Sequence, residues 1–145
     1  MNDINLFFSN PQSSLIKKNL KLFCKEILNY KGHPNCLISL IFVNEEKLKE
    51  MKCKFFKQDL YTDVIAFNLN DKKEDLEGEI YLSFNTIKNN SKLYNTDLET
   101  ELKRVIAHGV LHLMGYEDDN KNKKEEMTQL EDLFIKLFKH IQLTC

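Results

Sequence analysis

The chain has 145 residues and a formal net charge of −1, with 42% hydrophobic and 30% charged residues. These values describe an ordinary globular protein that can bury a substantial core. No apolar run approaches the ~18 residues of a membrane span, and the first residues do not resemble a signal peptide. The four cysteines form no CxxC pair, which indicates reduced thiols in a cytoplasmic protein. Because the charge is balanced, any nucleic-acid site would have to be a local patch.

Strands and helices alternate in the first half of the chain. The expected elements are a strand over residues 3–8, a helix from Ser13 or Ser14 to about Tyr30, a strand over 36–43 and a helix from Glu45 to about Phe55. The serine hydroxyls and the side chain of Asn44 are suited to accept hydrogen bonds at helix N-termini. The second strand is apolar almost throughout, which is typical of a strand buried on both faces.

The second half predicts a hairpin followed by helices. The expected elements are strands over 63–69 and 78–84 joined by a charged loop at 72–77, a short helix from Thr86 to about Leu93, a central helix after Asp97, a charged connection at 120–126 and a last helix from Met127 to Ile141. Two strands joined by a short polar loop most simply form an antiparallel hairpin. The central helix is apolar nearly all round after Ile106, so its last turns should be deeply buried.

A pair of histidines lies at the end of the central helix. His108 and His112 are four residues apart, which places their side chains on one helix face, about 5–6 Å from each other. Two imidazoles so placed can both reach one metal ion at roughly 2.0–2.1 Å. Gly115 can end the helix in the left-handed conformation, and the turn allows Asp118 to return as a third ligand. Three ligands leave one position open for water, which is typical of a catalytic metal site.

The histidine pair alone is weak evidence, because HxxxH also occurs without a metal. Gly115 and Asp118 strengthen it, since metzincin proteases place their helix end and third ligand at the same offsets. Those proteases also need a glutamate directly after the first histidine, as general base. Gly109 occupies that position and cannot accept a proton. The pattern therefore favours a metal site and argues against proteolysis.

These residues resemble the signature H-G-x-L-H-L-x-G-Y-D-H of the YbeY family, bacterial metal-dependent endoribonucleases. The matching residues are His108, Gly109, Leu111, His112, Leu113, Gly115 and Tyr116. Two positions differ, because Glu117 stands where the family has Asp and Asp118 stands where it has the third metal-binding His. Carboxylate oxygen is also a zinc ligand, at about 2.0–2.2 Å, so the substitution preserves a metal-binding group.

The resemblance implies an α/β fold, with a mixed four-stranded sheet and about five helices, in one metal-dependent endoribonuclease domain over residues 1–145. It implies cleavage of single-stranded RNA in 16S rRNA 3′-end maturation and ribosome quality control, with rRNA and the ribosomal subunit as partners. It further implies one divalent ion, Zn²⁺ or alternatively Mn²⁺, held by His108, His112 and Asp118. The catalytic role of His108 would be to hold the ion whose bound water is the candidate nucleophile. The general base and the oligomeric state are left open by the sequence.

The candidate substrate-binding residues come from the same resemblance. The family carries an arginine, thought to face the RNA, where this chain has Phe56, and Lys57 or Lys54 beside it could supply the charge. Phe55 or Phe56 could stack a base, although core packing is expected of at least one of them. Thr62 and Asp63 fall in a stretch similar to the family's T-D-V-L-S-F. Three carboxylates near the motif are expected to be solvated surface groups, namely Glu101, Glu117 and Asp119.

Two other functions are compatible with the motif. A metallohydrolase of peptides or amides would retain the metzincin-like geometry, but Gly109 argues against it. A ribosome-associated binding module with a structural metal is the second, and the open fourth ligand position argues against it. Cleavage of RNA rather than casein would exclude the first, and RNA binding that persists without metal would support the second.

Overall fold

The computed structural model describes residues 2–33, 35–70 and 76–145. In chain order its elements are β1 (Asn2–Phe8), α1 (Lys17–Tyr30), β2 (Cys36–Phe42), α2 (Glu45–Phe56), β3 (Val64–Asn68), β4 (Leu76–Leu82), α3 (Phe84–Leu93), α4 (Leu98–Leu113) and α5 (Lys121–Leu137). The predicted α/β class with a mixed four-stranded sheet and five helices is confirmed. None of the helices in the described ranges is long and apolar enough to span a membrane.

The four strands form one sheet in the order β1-β2-β4-β3, so that β1 and β3 lie at its two edges. The first three strands in this order are parallel, and β3 pairs antiparallel with β4 from Val64 opposite Leu82 to Asn68 opposite Gly78. This pair is the predicted hairpin. The charged loop expected at 72–77 falls largely outside the described residues, and its last two residues already belong to β4.

The two faces of the sheet are covered unequally. On one face α1, α3, α4 and α5 enclose the main hydrophobic core. On the other face the described residues form one small cluster, in which Leu48 and Met51 of α2 pack against Ile65 of β3. The expectation that the second strand is buried on both faces is therefore wrong. β2 alternates instead, with Ile38 fully buried and Leu37 42% exposed, because α2 covers only part of the second face.

Two helices begin at positions that differ from the sequence prediction. Neither Ser13 nor Ser14 caps α1, which begins at Lys17 after Ile16, a residue that makes no side-chain capping bond. The preceding segment instead contacts the C-terminal segment, because Ile16 N donates to Leu143 O at 2.8 Å. Similarly, α3 begins at Phe84, where the hydroxyl of Ser83 accepts a hydrogen bond from the third residue of the helix.

The last helix is displaced towards the N-terminus of its predicted range. The segment 120–126 is not a connection, because Asn120 accepts a hydrogen bond from Lys123 N and α5 begins at Lys121. Its first turns are charged and exposed, so the apolar periodicity used for the prediction starts only at Met127. The helix ends at Leu137 rather than Ile141, and the buried ammonium of Lys103 binds the carbonyl oxygen of Phe138 at 3.1 Å.

Two glycines allow α4 to lie very close to the sheet. A Cβ atom at Gly109 of α4 would come within 2.9 Å of Ile80 Cγ2, and one at Gly78 of β4 would come within 2.5 Å of Leu113 Cδ2. Any larger side chain at either position would push the helix away. The close approach places the C-terminal turns of α4 directly against β3 and β4. It also gives Gly109 a packing role, in a position where no side chain could serve as a base.

Candidate metal centre

The end of α4 sets the position of the candidate metal ligands. Gly115 has φ +99°, in the left-handed region, which glycine adopts without the steric cost that other residues meet. Gly115 N donates to His112 O at 3.0 Å and Tyr116 N donates to Leu111 O at 3.0 Å. These two bonds form a Schellman motif, which ends the helix and reverses the chain. The reversal brings Asp118 back over the last helical turns.

Three donor atoms from this segment converge on one point. The two histidine Nε2 atoms are 3.0 Å apart, and Asp118 Oδ2 lies 3.4 Å from His108 Nε2 and 3.8 Å from His112 Nε2. A tetrahedral site with bonds of roughly 2.0–2.1 Å places neighbouring donors about 3.3 Å from each other. The observed separations bracket this value, so the three side chains could hold one metal ion. Their role as ligands remains a prediction.

Hydrogen bonds at the far side of each ring determine which nitrogen is available. His108 Nδ1 lies 2.7 Å from Glu131 Oε2, and His112 Nδ1 lies 3.0 Å from the carbonyl oxygen of Tyr116. Both partners accept hydrogen bonds, so each neutral ring carries its proton on Nδ1 and presents an unprotonated Nε2. Two nitrogen lone pairs and a carboxylate then face one another, and a cation or a proton between them would stabilise this arrangement. The chemistry of the donor set therefore suits a divalent metal.

Glu131 is the functional candidate that sequence reasoning missed. It lies on α5, is only 5% exposed, and bridges His108 to Arg104, whose Nη1 is 3.2 Å from Glu131 Oε1. A carboxylate behind a ligating histidine fixes the orientation of the ring and its tautomer. The sequence held one signal of this position. Glu131 lies four residues after Met127 and three before Phe134, on the buried face of an amphipathic helix where a carboxylate is unusual.

The two histidines differ in their affinity for protons. Burial lowers the pKa of His108, but the hydrogen bond and charge of Glu131, with the charges of Asp118 and Asp63, outweigh burial and raise it above its usual value. The pKa of His112 is lowered, by burial first and by the neighbouring His108 second. The site thus favours one added positive charge, which a metal ion would supply in place of the proton.

A cleft of about 520 Å³ opens beside the three donors. One wall is the outer edge of β3. Odd-numbered residues of this segment direct their backbone groups towards β4, since Asp63 O accepts from Ser83 N and Leu69 N donates to Glu77 O. The backbone groups of the even-numbered residues therefore point outward. Val64 and Ala66, two of these even-numbered residues, line the cleft. The cleft therefore places backbone donors and acceptors opposite the two histidines.

The structure brings most of the predicted substrate-binding residues to this cleft. Thr62, Asp63 and Phe56 all line it. Lys57 is not part of the lining formed by the described residues, because it follows the end of α2 in a left-handed conformation with φ 54°. Lys52, one helical turn before Phe56, lines the cleft instead, so the positive charge comes from a residue that the sequence analysis did not select.

The expectation that Glu101 is a solvated carboxylate is wrong. It is 6% exposed on α4, and burial and the charge of Asp63 raise its pKa. The pKa of Asp63 is also raised, chiefly by burial, although Asn90 Nδ2 contacts its carboxylate at 3.3 Å. In contrast, Glu117 and Asp119 are exposed and both lie near Lys123 Nζ, at 3.5 and 3.3 Å.

Comparison with known proteins identifies the family. The family model described as endoribonuclease YbeY matches residues 7–139. Endoribonuclease YbeY of Cytophaga hutchinsonii is 39% identical over 102 residues, which cover 70% of this chain and 71% of the relative. The protein of the same name from Amoebophilus asiaticus is 33% identical over 134 residues, which cover 90% and 91%. The chain belongs to the endoribonuclease YbeY family, as its histidine motif predicts.

One solved structure shows the same architecture. The solution structure of TM1509 from Thermotoga maritima matches with a TM-score of 0.65 at 29% identity, over 95% of this chain and 93% of that one. The likeness therefore extends beyond the histidine motif to the arrangement of the whole sheet and its helices.

Proposed function

We propose that the protein is a divalent-metal-dependent endoribonuclease that cleaves single-stranded RNA, with residues 1–145 acting as one catalytic domain. The convergence of His108 Nε2, His112 Nε2 and Asp118 Oδ2 beside an open cleft, in a chain of this family, is the observation on which the proposal depends. Family membership supports RNA as the substrate. It also supports a role in 16S rRNA 3′-end maturation and ribosome quality control, with the ribosomal subunit as partner.

His108, His112 and Asp118 would hold one ion, Zn²⁺ or alternatively Mn²⁺, since a carboxylate ligand also suits oxygen-preferring metals. When bound, the ion would polarise a phosphoryl oxygen or lower the pKa of a water molecule towards ~7. Glu131 keeps the proton of His108 on Nδ1, which leaves Nε2 directed at the ligand position. The catalytic role of His108 would be to hold the ion whose bound water is the candidate nucleophile.

The remaining walls of the cleft would position the RNA strand. Outward-facing N–H groups of Val64 and Ala66 can donate to phosphoryl oxygens without adding charge, and the Thr62 hydroxyl lies at the same wall. Asp63 is suited to accept hydrogen bonds from ribose or base groups. Lys57, which lies outside the lining, would reach phosphates only where the strand leaves the cleft.

Metal-loaded protein incubated with single-stranded RNA, the same RNA as a duplex, and casein tests the proposal. We expect cleavage of the single strand only, and loss of cleavage after chelation. Elemental analysis should show near-stoichiometric metal in wild type and its loss in His112→Ala, whose melting temperature should match that of metal-free wild type. Cleavage of casein would favour a peptide hydrolase. RNA binding without cleavage, retained after the metal is removed, would favour a binding module.

The role in rRNA maturation is tested in cells depleted of the protein. We expect 16S precursors with unprocessed 3′ ends to accumulate, and complementation by wild type but not by His112→Ala. Fully processed 3′ ends in depleted cells would restrict the protein to another RNA.

A further inference from the structure

The C-terminal end of α2 exposes aromatic rings that the metal centre does not use. Phe55 is 54% exposed and Phe56 is 43% exposed, so the expected core role holds for neither. Both rest against Phe67 of β3, with ring centroids 5.3 and 5.8 Å from it, and Phe56 is stacked on Phe67 at 27°. Phe67 in turn packs edge-on against Tyr81 of β4. The exposed rings are therefore held in place by the sheet beneath them.

Lysines lie beside these rings, and Glu50 lines the same depression as Lys54 and Phe55. From Met51 to Gln58 the sequence contains three lysines and no acidic residue. Lys52 Nζ lies 4.8 Å from the centroid of Phe56, and Lys54 Nζ lies 5.4 Å from that of Phe55. Among the described residues, no ion pair involves these two lysines. A lysine in the last turn also stabilises the helix dipole, but that effect does not explain the exposed rings.

This surface is continuous with the cleft of the candidate metal centre. Lys52 and Phe56 form part of the cleft wall, together with His108 and His112. Phe55 and Lys54 lie next to Phe56 in sequence but outside the cleft lining among the described residues. Phe55 and Phe56 both contact the ring of Phe67, so a strand that leaves the cleft past Phe56 would reach Phe55 next.

We propose that Phe55 and Phe56, with Lys52 and Lys54, form a stacking subsite for the bases of single-stranded RNA on the α2 side of the cleft. The inference rests on the proposed function, because it extends the path of the same substrate. Flat rings with flexible ammonium groups beside them match the two needs of single-strand binding, a stacking surface for bases and charge for phosphates. The lysines lie over the rings in the free protein and can move to phosphates when a base takes their place.

Phe55→Leu and Phe56→Leu, made separately, test the subsite, because leucine keeps an apolar contact with Phe67 but has no aromatic face. Phe7→Leu is the matched control, since Phe7 is also 54% exposed and lies on β1, at the opposite edge of the sheet. With RNA of about 16 nucleotides, we expect each α2 variant to raise KM by about 5- to 10-fold. We expect kcat to stay within about twofold of wild type, and Phe7→Leu to change neither constant.

The lysines are distinguished from the rings by salt dependence. Lys52→Ala and Lys54→Ala should each lower the slope of log affinity against log salt by about 0.7, the value for one lost phosphate contact on a single strand. The leucine variants should keep the wild-type slope. Lys17→Ala is the matched control, because Lys17 lies over Phe8 at 5.2 Å on the distant β1 side. Affinities come from fluorescence anisotropy with the same RNA.

The outcomes separate the subsite from the activity. Cleavage with unchanged KM and affinity in both leucine variants would overturn the subsite and leave the endoribonuclease intact. A wild-type protein that binds RNA through these rings but does not cleave it would refute the proposed function and keep the subsite. Equal effects of Phe7→Leu and Phe55→Leu would also overturn the subsite, because any exposed aromatic residue would then suffice.

Discussion

Both halves of α4 hold polar side chains against other parts of the chain, but these side chains differ in whether they find hydrogen-bond partners there. In the first half, Glu99 accepts hydrogen bonds from Leu143 N, Thr144 N and the Thr144 hydroxyl at 2.7–2.9 Å. The ammonium of Lys103, 3% exposed, lies 3.6 Å from the same carboxylate and binds carbonyl oxygens beyond α5. Each donor in this group has an acceptor within the chain.

The second half presents acceptors to one another. The Nε2 atoms of His108 and His112 and the carboxylate of Asp118 lie within 3.0–3.8 Å, and in the neutral tautomers no proton lies between them. The three side chains are 26–42% exposed, so water reaches them, but acceptors this close repel one another unless a cation or a proton lies between them. The comparison distinguishes a structural cluster from a candidate ligand site near the two ends of one helix, without reference to any relative.

Glu131→Gln most directly tests the group of His108, His112 and Asp118, which we call the open cluster. The amide can turn its nitrogen towards His108 and favour the wrong tautomer, and it removes the charge that supports the ring. We expect metal affinity to fall by about 10- to 100-fold, the usual effect of losing a group behind a ligand. Isothermal titration with Zn²⁺ measures it. Asp132→Asn is the control, because Asp132 also binds Arg104, at 2.6 Å, but is largely exposed and does not contact His108. Equal losses in both variants would assign the effect to Arg104.

Glu99→Ala tests the group of Glu99, Lys103 and their hydrogen-bond partners, which we call the closed cluster. The change leaves two backbone N–H groups without their acceptor and removes the counter-charge of Lys103, which keeps only its carbonyl partners. We expect it to lower the free energy of unfolding by about 2 kcal/mol. Water reaches part of the carboxylate, so the cost should stay below that of a fully buried pair. Urea denaturation gives the value. Metal affinity should not change, since the site is at the other end of the helix. A variant that loses metal while remaining stable would remove the distinction between the clusters.

The sequence predicted those parts of the fold that depend on local pattern. The strand positions follow from short apolar runs, the hairpin follows from the polar loop between two of these runs, and the order of the helices follows from their periodicity. The start of α5 was missed because its first turns have no buried face, and only the capping side chain of Asn120 marks it. The partial exposure of one face of β2 could not be predicted, because it depends on how far α2 extends over the sheet.

The candidate site divides in the same way. His108, His112 and Asp118 are set by spacing along one helix and its turn, so their proximity could be inferred from the sequence. Glu131 reaches His108 only through the packing of α5 on α4, 23 residues further along the chain. Lys52 enters the cleft while Lys57 turns away, because the helix ends between them. Contacts across elements are the ones that sequence spacing does not determine.

Gly115→Val makes a smaller change at the open cluster. A Cβ at Gly115 meets no atom within 4 Å, so the main effect of the substitution is backbone strain at φ +99°. We expect a loss of stability of about 1 kcal/mol, and a larger loss of metal affinity because Asp118 is displaced. Gly32→Val is the control for backbone strain, since Gly32 has φ +76° and equal space. Its neighbours Lys31 and His33 line a depression with Gly115 and Tyr116, but Gly32 is not part of the turn that carries Asp118. Thermal melts and zinc titrations of both variants decide the point. Equal metal affinity in the two variants would show that the turn does not position Asp118.

The smallest effect is expected at Asp97, the N-cap of α4 next to the closed cluster. Its carboxylate accepts a hydrogen bond from Thr100 N at 2.7 Å, and this bond lowers the pKa of Asp97 in the folded protein. A lowered pKa contributes stability that is present above the unfolded value of ~3.9 and is lost as pH falls through the folded value. Asp97→Ala should therefore cost about 1 kcal/mol near neutral pH, and the difference from wild type should shrink below about pH 4.

Asp97→Asn keeps a capping oxygen without the charge, so its stability relative to Asp97→Ala should be independent of pH. Urea denaturation of the three proteins between neutral and acidic pH measures both differences. A wild-type advantage over Asp97→Ala that persists unchanged in acid would show that the cap acts as a neutral acceptor and that its charge contributes nothing to the start of α4.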